Sequence, residues 1–130
     1  MCYNIFRGDL MKIQESAENY LETIFILSQR KEFVRSIDIA NELSFSKPSI
    51  SVFMKNLKAN GYIEMDGRGH ITLTDAGLSI AKKVFEKHTF IKEMLLSLGV
   101  NEEIASEDAC RIEHVISDET FDALKNHFSK

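Results

Sequence analysis

Residues 46–73 read SKPSISVFMKNLKANGYIEMDGRGHITL, and this stretch predicts one helix followed by a β-hairpin. Pro48 suits the first turn of a helix, because the N–H that proline lacks would have no partner there. Gly61 supplies the left-handed residue that commonly ends a helix. Apolar side chains recur between these two signals at helical spacing: Ile50, Phe53, Met54 and Leu57. Beyond Gly61, two short alternating runs flank the turn at residues 66–69, as in a hairpin.

The rest of the chain reads as a succession of helices. A first helix is predicted from Glu15 to Arg30 and a short second one after Ser36, so that two helices, a hairpin and a basic turn form a winged helix-turn-helix. Thr74 precedes a long apolar periodicity over residues 75–98 that Gly99 ends. Asn101 and Ser117 each stand before acidic residues, which is typical of helix starts.

Composition restricts the class of protein. A chain of 130 residues with 44% hydrophobic residues has material for one or two compact units. We find neither a secretion signal nor an apolar run near the roughly 20 residues that span a bilayer, so a cytoplasmic protein without a membrane partner is expected. Cys2 and Cys110 lie far apart, and in a reducing compartment two such thiols are expected to be free or metal-bound.

Charge is unevenly distributed along a chain whose net charge is −4. Residues 46–70 carry four basic and two acidic side chains, a local +2 that can face phosphate. Residues 101–122 carry eight acids and only Arg111, a local −7 that repels DNA and attracts cations. The two ends of the chain are therefore expected to bind different partners.

Three residues late in the chain have the side-chain chemistry of a metal site. Cys110, Glu113 and His114 follow each other at i, i+3 and i+4, which places a thiol, a carboxylate and an imidazole on one face of a helix. These groups are close enough there to share one transition-metal ion. The spacing predicts one side of a metal-binding site.

Residues 15–127 resemble the diphtheria-toxin-repressor and manganese-transport-regulator family of metal-dependent repressors. The run DACRIEH at residues 108–114 and SKPSIS at residues 46–51 look like the iron-type branch, and NYLE at residues 19–22 looks like the manganese branch. The resemblance implies a mainly α fold, in which an N-terminal winged helix-turn-helix with a short β-hairpin wing is joined by a long helix to a helical dimerisation domain. The expected divisions are an extension (1–14), the DNA-binding domain (15–74), a linker helix (75–98) and a metal-binding and dimerisation domain (99–130).

The resemblance also implies a set of functional residues. The metal ligands would be Asn19, Glu22, His88, Cys110, Glu113 and His114. The residues that meet DNA would be Ser46, Lys47, Pro48, Ser49, Ser51, Val52, Lys55, Lys58 and Arg68. The residues expected to form the dimer contact are Ile104, Val115, Ile116, Phe121 and Leu124. The ion would be a divalent transition metal, with Fe(II) favoured because a thiolate suits it and Mn(II) compatible with the oxygen donors.

The expected function is a homodimeric, metal-activated transcriptional repressor that binds a palindromic double-stranded operator. Asn19 departs from the Asp that is usual in the manganese branch and removes one negative charge from the expected ligand set. Taken singly, His88 also suits a core imidazole, Cys110 an inert buried thiol and Glu22 a surface carboxylate. Two alternatives remain open: a metal-independent winged-helix regulator that senses an organic ligand, and a small metalloenzyme, although we expect no enzyme.

Overall fold

A computed structural model describes the backbone of residues 9–128 and the side chains of residues 16–128. The remaining residues, including Cys2 and most of the predicted N-terminal extension, lie outside the described part. Within it the elements are, in chain order, α1 (Asp9–Arg30), α2 (Ser36–Leu43), α3 (Lys47–Ala59), β1 (Ile63–Met65), β2 (Ile71–Leu73), α4 (Asp75–Ser97), α5 (Glu102–Val115) and α6 (Asp118–Phe128). The mainly helical class with one short hairpin is confirmed.

The chain divides into two compact units. Residues 16–82 form one unit, here called the DNA-binding unit, and the chain from Lys83 onward, with the first residues of α1, forms the other, here called the metal unit. The division falls inside α4, whereas the sequence placed a boundary at its start.

The DNA-binding unit is organised around an apolar cluster. Its buried members come from α1, α2, α3, both strands and the start of α4: Tyr20, Leu21, Ile24, Leu27, Val34, Ile39, Ala40, Ile50, Met54, Leu57, Ile63, Ile71 and Ala81. Three of the four residues of the predicted α3 stripe are in this cluster, and the fourth, Phe53, packs its ring 4.3 Å from that of Tyr20. Burial of this face therefore leaves the opposite face of α3 to solvent.

The start of α3 forms as the sequence predicts. Ser46 is the N-cap, and its hydroxyl oxygen accepts a hydrogen bond from the Ser49 N–H at 3.3 Å. Pro48 lies in the first turn, where no N–H is needed. Gly61 follows the helix with a φ of 81°, the left-handed conformation expected of it.

The hairpin is fixed to the start of α4 by a close backbone approach. Strands β1 and β2 pair antiparallel with Glu64 opposite Thr72. A Cβ atom built on Gly77 would lie 2.1 Å from the carbonyl oxygen of Tyr62, so only glycine fits at this crossing. The Thr74 hydroxyl donates to the Gly61 carbonyl at 2.7 Å and holds the same junction.

Two helix starts differ from the sequence prediction. Helix α1 begins at Asp9 rather than near Glu15, because Leu10, Ile13 and Ala17 extend the helical apolar spacing toward the N-terminus. In α2, Ser36 is the first helical residue and Arg35 is the N-cap, whose N–H is accepted by the Asp38 carboxylate at 2.9 Å. The helices themselves are confirmed, and only their ends move.

In the metal unit, α4 is tied to α6 by ring packing and ion pairs. The rings of Phe90 and Phe121 meet edge to face at a centroid distance of 5.5 Å. Asp118 accepts from Lys83 at 2.6 Å and lies 3.1 Å from the Lys87 ammonium, whose residue is only 8% exposed. None of the helices in the described part of the chain combines the length and apolar composition needed to cross a membrane.

Candidate metal centre and nucleic-acid interface

Helices α4 and α5 bring three different donor types together inside the metal unit. His88 from α4 and Cys110 and Glu113 from α5 each offer one ligand atom, and these atoms lie within 4.8 Å of one another. The α5 residues share a face because they are three positions apart, and the Asn101 side chain starts that helix by accepting the Ile104 N–H at 2.9 Å. The structure places the predicted ligands Cys110 and Glu113 of α5 beside the predicted ligand His88 of α4.

Glu113 lies at the centre of this group. Its residue is 2% exposed, and its two carboxylate oxygens lie 2.8 Å from His88 Nδ1 and 3.2 Å from His114 Nε2. Burial raises the pKa of Glu113, but hydrogen bonds from His114 and His88 outweigh burial and hold the pKa below its usual value. The group is therefore a buried carboxylate in its charged form, flanked by two imidazoles.

Cys110 differs from the expectation of a free or metal-bound thiol. Its sulfur takes part in a disulfide. A sulfur in an S–S bond has no thiolate charge with which to bind a metal. Cys110 lies beside His88 and Glu113, but only its reduced form has the chemistry that ligation requires.

The donor set fits a divalent transition-metal ion. Imidazole nitrogen, thiolate sulfur and carboxylate oxygen are the three side-chain donor types that zinc, iron, cobalt and nickel accept in proteins. The anionic carboxylate of Glu113 also supplies charge neutralisation for a divalent cation. His88, Cys110, Glu113 and His114 would hold such an ion.

The two predicted ligands from the first helix lie on α1, in the DNA-binding unit. Asn19 and Glu22 are three positions apart and only 7% and 6% exposed, respectively. The surface-carboxylate interpretation of Glu22 is therefore wrong, because the side chain is buried. Ligation by either residue stays a prediction.

The predicted DNA-contacting residues share one property, which is exposure to solvent. They are Ser46, Lys47, Pro48, Ser49, Ser51, Val52, Lys55, Lys58 and Arg68. Val52 is 60% exposed although it is apolar, and it lies on the face of α3 opposite the buried stripe. A positively charged helix face with an exposed apolar side chain suits a DNA major groove, where thymine methyl groups are apolar contacts.

The predicted dimer residues differ from each other in burial. Ile104 and Val115 are 50% and 41% exposed, whereas Phe121 is 6% exposed and packs against Phe90 within the unit. Ile116 and Leu124 are intermediate. Leu98 is exposed, and the sequence analysis did not predict this. Its position beside the helix-ending Gly99 is the signal that could have indicated exposure.

The comparisons with known proteins agree with this arrangement. Residues 12–71 match the family described as "Iron dependent repressor, N-terminal DNA binding domain", and residues 74–130 match "Iron dependent repressor, metal binding and dimerisation domain". The chain belongs to the iron-dependent repressor family. The family resemblance drawn from the sequence is thereby confirmed.

Two curated relatives match this chain over most of their own length. A helix-turn-helix transcriptional regulator from Methanocaldococcus jannaschii is 34% identical over 91% of this chain and 96% of its own. The transcriptional regulator MntR of Escherichia coli O157:H7 is 36% identical over 86% of this chain and 72% of its own. Both relatives are named as transcriptional regulators.

Two solved structures have the same fold. The manganese regulator SloR superimposes with a TM-score of 0.77 at 29% identity over 87% of this chain, and T. acidophilum IdeR with 0.75 at 29% over 87%. The chain spans about half the length of each of these two structures, 53% and 54%. They therefore support the fold of the shared part.

Proposed function

We propose that the protein is a homodimeric transcriptional repressor whose binding to DNA is activated by a divalent metal ion. The observation that carries the proposal is the convergence of His88, Cys110 and Glu113 within 4.8 Å in the metal unit. The chain pairs this cluster with a helix-turn-helix whose predicted DNA-contacting side chains are all exposed. A repressor acts where the chromosome lies, so we place it in the cytoplasm.

The ion would act by favouring one arrangement of the helices that hold it. Glu113, His88, His114 and reduced Cys110 provide the donors of the metal unit, and Asn19 and Glu22 would add oxygen donors from α1. The bound ion supplies a fixed positive charge that all of these donors attract. A preference of about 5.5 kcal/mol for the arrangement competent for DNA would convert a rare state into the dominant one.

The identity of the ion is a choice between two divalent metals. The thiolate of Cys110 favours Fe(II) over Mn(II), since soft sulfur ligands bind manganese weakly. The names of the relatives, such as MntR and the manganese regulator SloR, favour Mn(II). We propose Fe(II) as the preferred ion with Mn(II) as a working substitute, and a competition titration decides between them.

Recognition of DNA would use α3 and the wing. The exposed face of α3, with Lys55 and Lys58 near the phosphates, would enter a major groove, and Arg68 in the wing would meet the backbone or the minor groove. A two-fold symmetric dimer reads a palindromic site, so the operator should be palindromic. The partner contact would involve Ile104 and Val115, which are exposed and apolar.

The test measures DNA binding with and without metal, using an operator selected from random duplexes. We expect reduced protein to bind with Fe(II) or Mn(II) under anaerobic conditions and to lose about 100-fold in affinity when the metal is chelated. The variant Glu113→Gln should lose this response. Glu103→Gln, which makes the same change at an exposed position of α5, should keep it.

Two outcomes would contradict the proposal. Equal affinity for DNA with and without every divalent metal would leave the metal-independent regulator that senses an organic ligand. An affinity that does not fall with rising salt would contradict the assigned DNA face, because each phosphate contact releases counterions. Analytical ultracentrifugation tests the dimer separately, with Ile104→Asp expected to yield monomers.

A further inference from the structure

The turn of the wing is organised by one side chain. The Asp66 Oδ1 atom accepts hydrogen bonds from the backbone N–H groups of Arg68 at 2.8 Å and His70 at 2.9 Å. The pKa of Asp66 is lowered chiefly by the hydrogen bond from the His70 backbone, so the carboxylate is a charged acceptor. Asp66 therefore fixes the backbone of the turn that carries Arg68.

His70 connects this turn to the segment between α1 and α2. Its Nδ1 atom lies 3.1 Å from Asp66 Oδ2, and its Nε2 atom lies 3.1 Å from Arg35 Nη2. The imidazole also stacks on the Phe33 ring with a centroid distance of 4.2 Å and an interplanar angle of 13°. The ring is thus fixed on two edges and one face, and its side chain is only 11% exposed.

The two edges of the imidazole determine its tautomer. A guanidinium can only donate, so Nε2 must accept from Arg35 and cannot carry a proton. The proton then lies on Nδ1, which donates it to the Asp66 carboxylate. Arg35, His70 and Asp66 form a chain in which each group depends on the neutral Nδ1–H form of the ring.

We infer that His70 is a positioning residue for DNA binding, which holds the wing so that Arg68 meets a phosphate. The inference rests on the proposed function, because it assigns Arg68 to DNA. Strands β1 and β2 contain only three residues each, and so short a hairpin needs outside support to keep one geometry. The contacts from Arg35 and Phe33 provide this support at the end of the wing nearest Arg68.

The test compares the salt dependence of operator binding in four variants. Affinity falls as salt rises, and Arg68→Ala should make the slope of log affinity against log salt less steep by about 0.9, the value of one phosphate contact. His70→Ala removes a neutral ring, yet it should make the slope less steep by a similar amount. The double variant should match Arg68→Ala alone, since both changes remove the same contact. The fourth variant, His127→Ala on the exposed part of α6, should leave the slope unchanged.

A second readout does not depend on DNA. Amide hydrogen exchange at Arg68 should accelerate in His70→Ala and stay slow in His70→Asn, whose amide N–H can replace the Nδ1–H donor to Asp66. Nitrogen NMR of the imidazole should show Nδ1 protonated and Nε2 bare in the unmodified protein. If the unmodified protein fails to bind any duplex with metal, the proposed function fails, while these two measurements still judge the positioning.

Specific results overturn the inference. An unchanged salt slope in His70→Ala, or a double variant that loses twice the slope of Arg68→Ala, means that His70 and Arg68 act independently. A proton on Nε2 means that the hydrogen bonds linking Arg35, His70 and Asp66 differ from those described. Unchanged exchange at Arg68 in His70→Ala removes the positioning role itself.

Discussion

The two units of this repressor differ in what lies at their centres. The buried residues of the DNA-binding unit are mostly apolar, and its buried polar residues are Asn19, Glu22 and Thr23, all on α1. The buried residues of the metal unit include the Glu113 carboxylate and the Lys87 ammonium, each with polar partners. One centre is stabilised by removing apolar surface from water, and the other depends on charges that must stay paired.

This difference indicates which of the two units a metal ion should stabilise. An apolar core offers no donor atoms to a metal ion, so its stability does not depend on a specific cation. A buried carboxylate between imidazoles is sensitive to a cation, since a bound ion satisfies the same donors more strongly. The metal unit should therefore gain stability from metal, whereas the apolar core of the DNA-binding unit should be stable without metal.

The largest expected effect is a cavity in the apolar core. Leu57 is 2% exposed, and Leu57→Ala should destabilise the protein by about 2–5 kcal/mol through lost burial and the cavity left behind. Urea unfolding followed by circular dichroism measures this cost. Because α3 carries none of the proposed metal ligands, we expect the same loss with Mn(II) and with chelator.

The matched control is the same substitution at an exposed leucine. Leu98 is 64% exposed, and Leu98→Ala should change stability by about 0.5 kcal/mol or less. If the cost of Leu57→Ala changes strongly with metal, the comparison between a metal-independent core and a metal-responsive one breaks down. Protein concentration must be held constant, since a dimer's stability depends on it.

The sequence predicted the fold best where a local signal has one physical meaning. Ser46, Pro48 and Gly61 marked the limits of α3 because a cap, a missing N–H and a left-handed residue each suit only one position. Asn101 marked the start of α5 for the same reason. The start of α1 at Asp9 was missed, since no capping signal accompanies the apolar spacing there.

The candidate site was predictable only in part. Cys110 and Glu113 share a helical face that spacing reveals, but His88 is 25 positions from Glu113, and only the family resemblance linked them. Arg35 and His70, which are 35 positions apart, were missed altogether. Contacts between distant elements depend on how the elements pack, and side-chain periodicity does not report this.

The second effect is the stabilisation that metal brings to the metal unit. At a free Mn(II) concentration 100 times the dissociation constant, binding should stabilise the reduced protein by about 2.7 kcal/mol. Glu113→Gln should lose this gain, because an amide supplies no negative charge, whereas Glu103→Gln should keep it. Chemical unfolding at fixed protein concentration measures the gain, and amide exchange locates it. A gain confined to residues 16–82 would contradict the contrast between the units.

The smallest effect concerns the exposed ion pairs that tie α6 to α4. Hydrogen bonds from Lys83 and Lys87 lower the pKa of Asp118, so this carboxylate stabilises the fold above the usual aspartate pKa of about 3.9, and the stabilisation is lost as pH falls through the lowered value. Asp118→Asn should therefore lower the melting temperature slightly at pH 7, and its difference from the unaltered protein should shrink in acid. Asp122→Asn is the matched control, because it removes the same charge from the same helix. Asp122 has no ion pair among the described residues, so this variant should not show the same loss. A loss for Asp118→Asn that persists undiminished at pH 2 would mean that packing, and not the charge facing the buried Lys87, holds α6 in place.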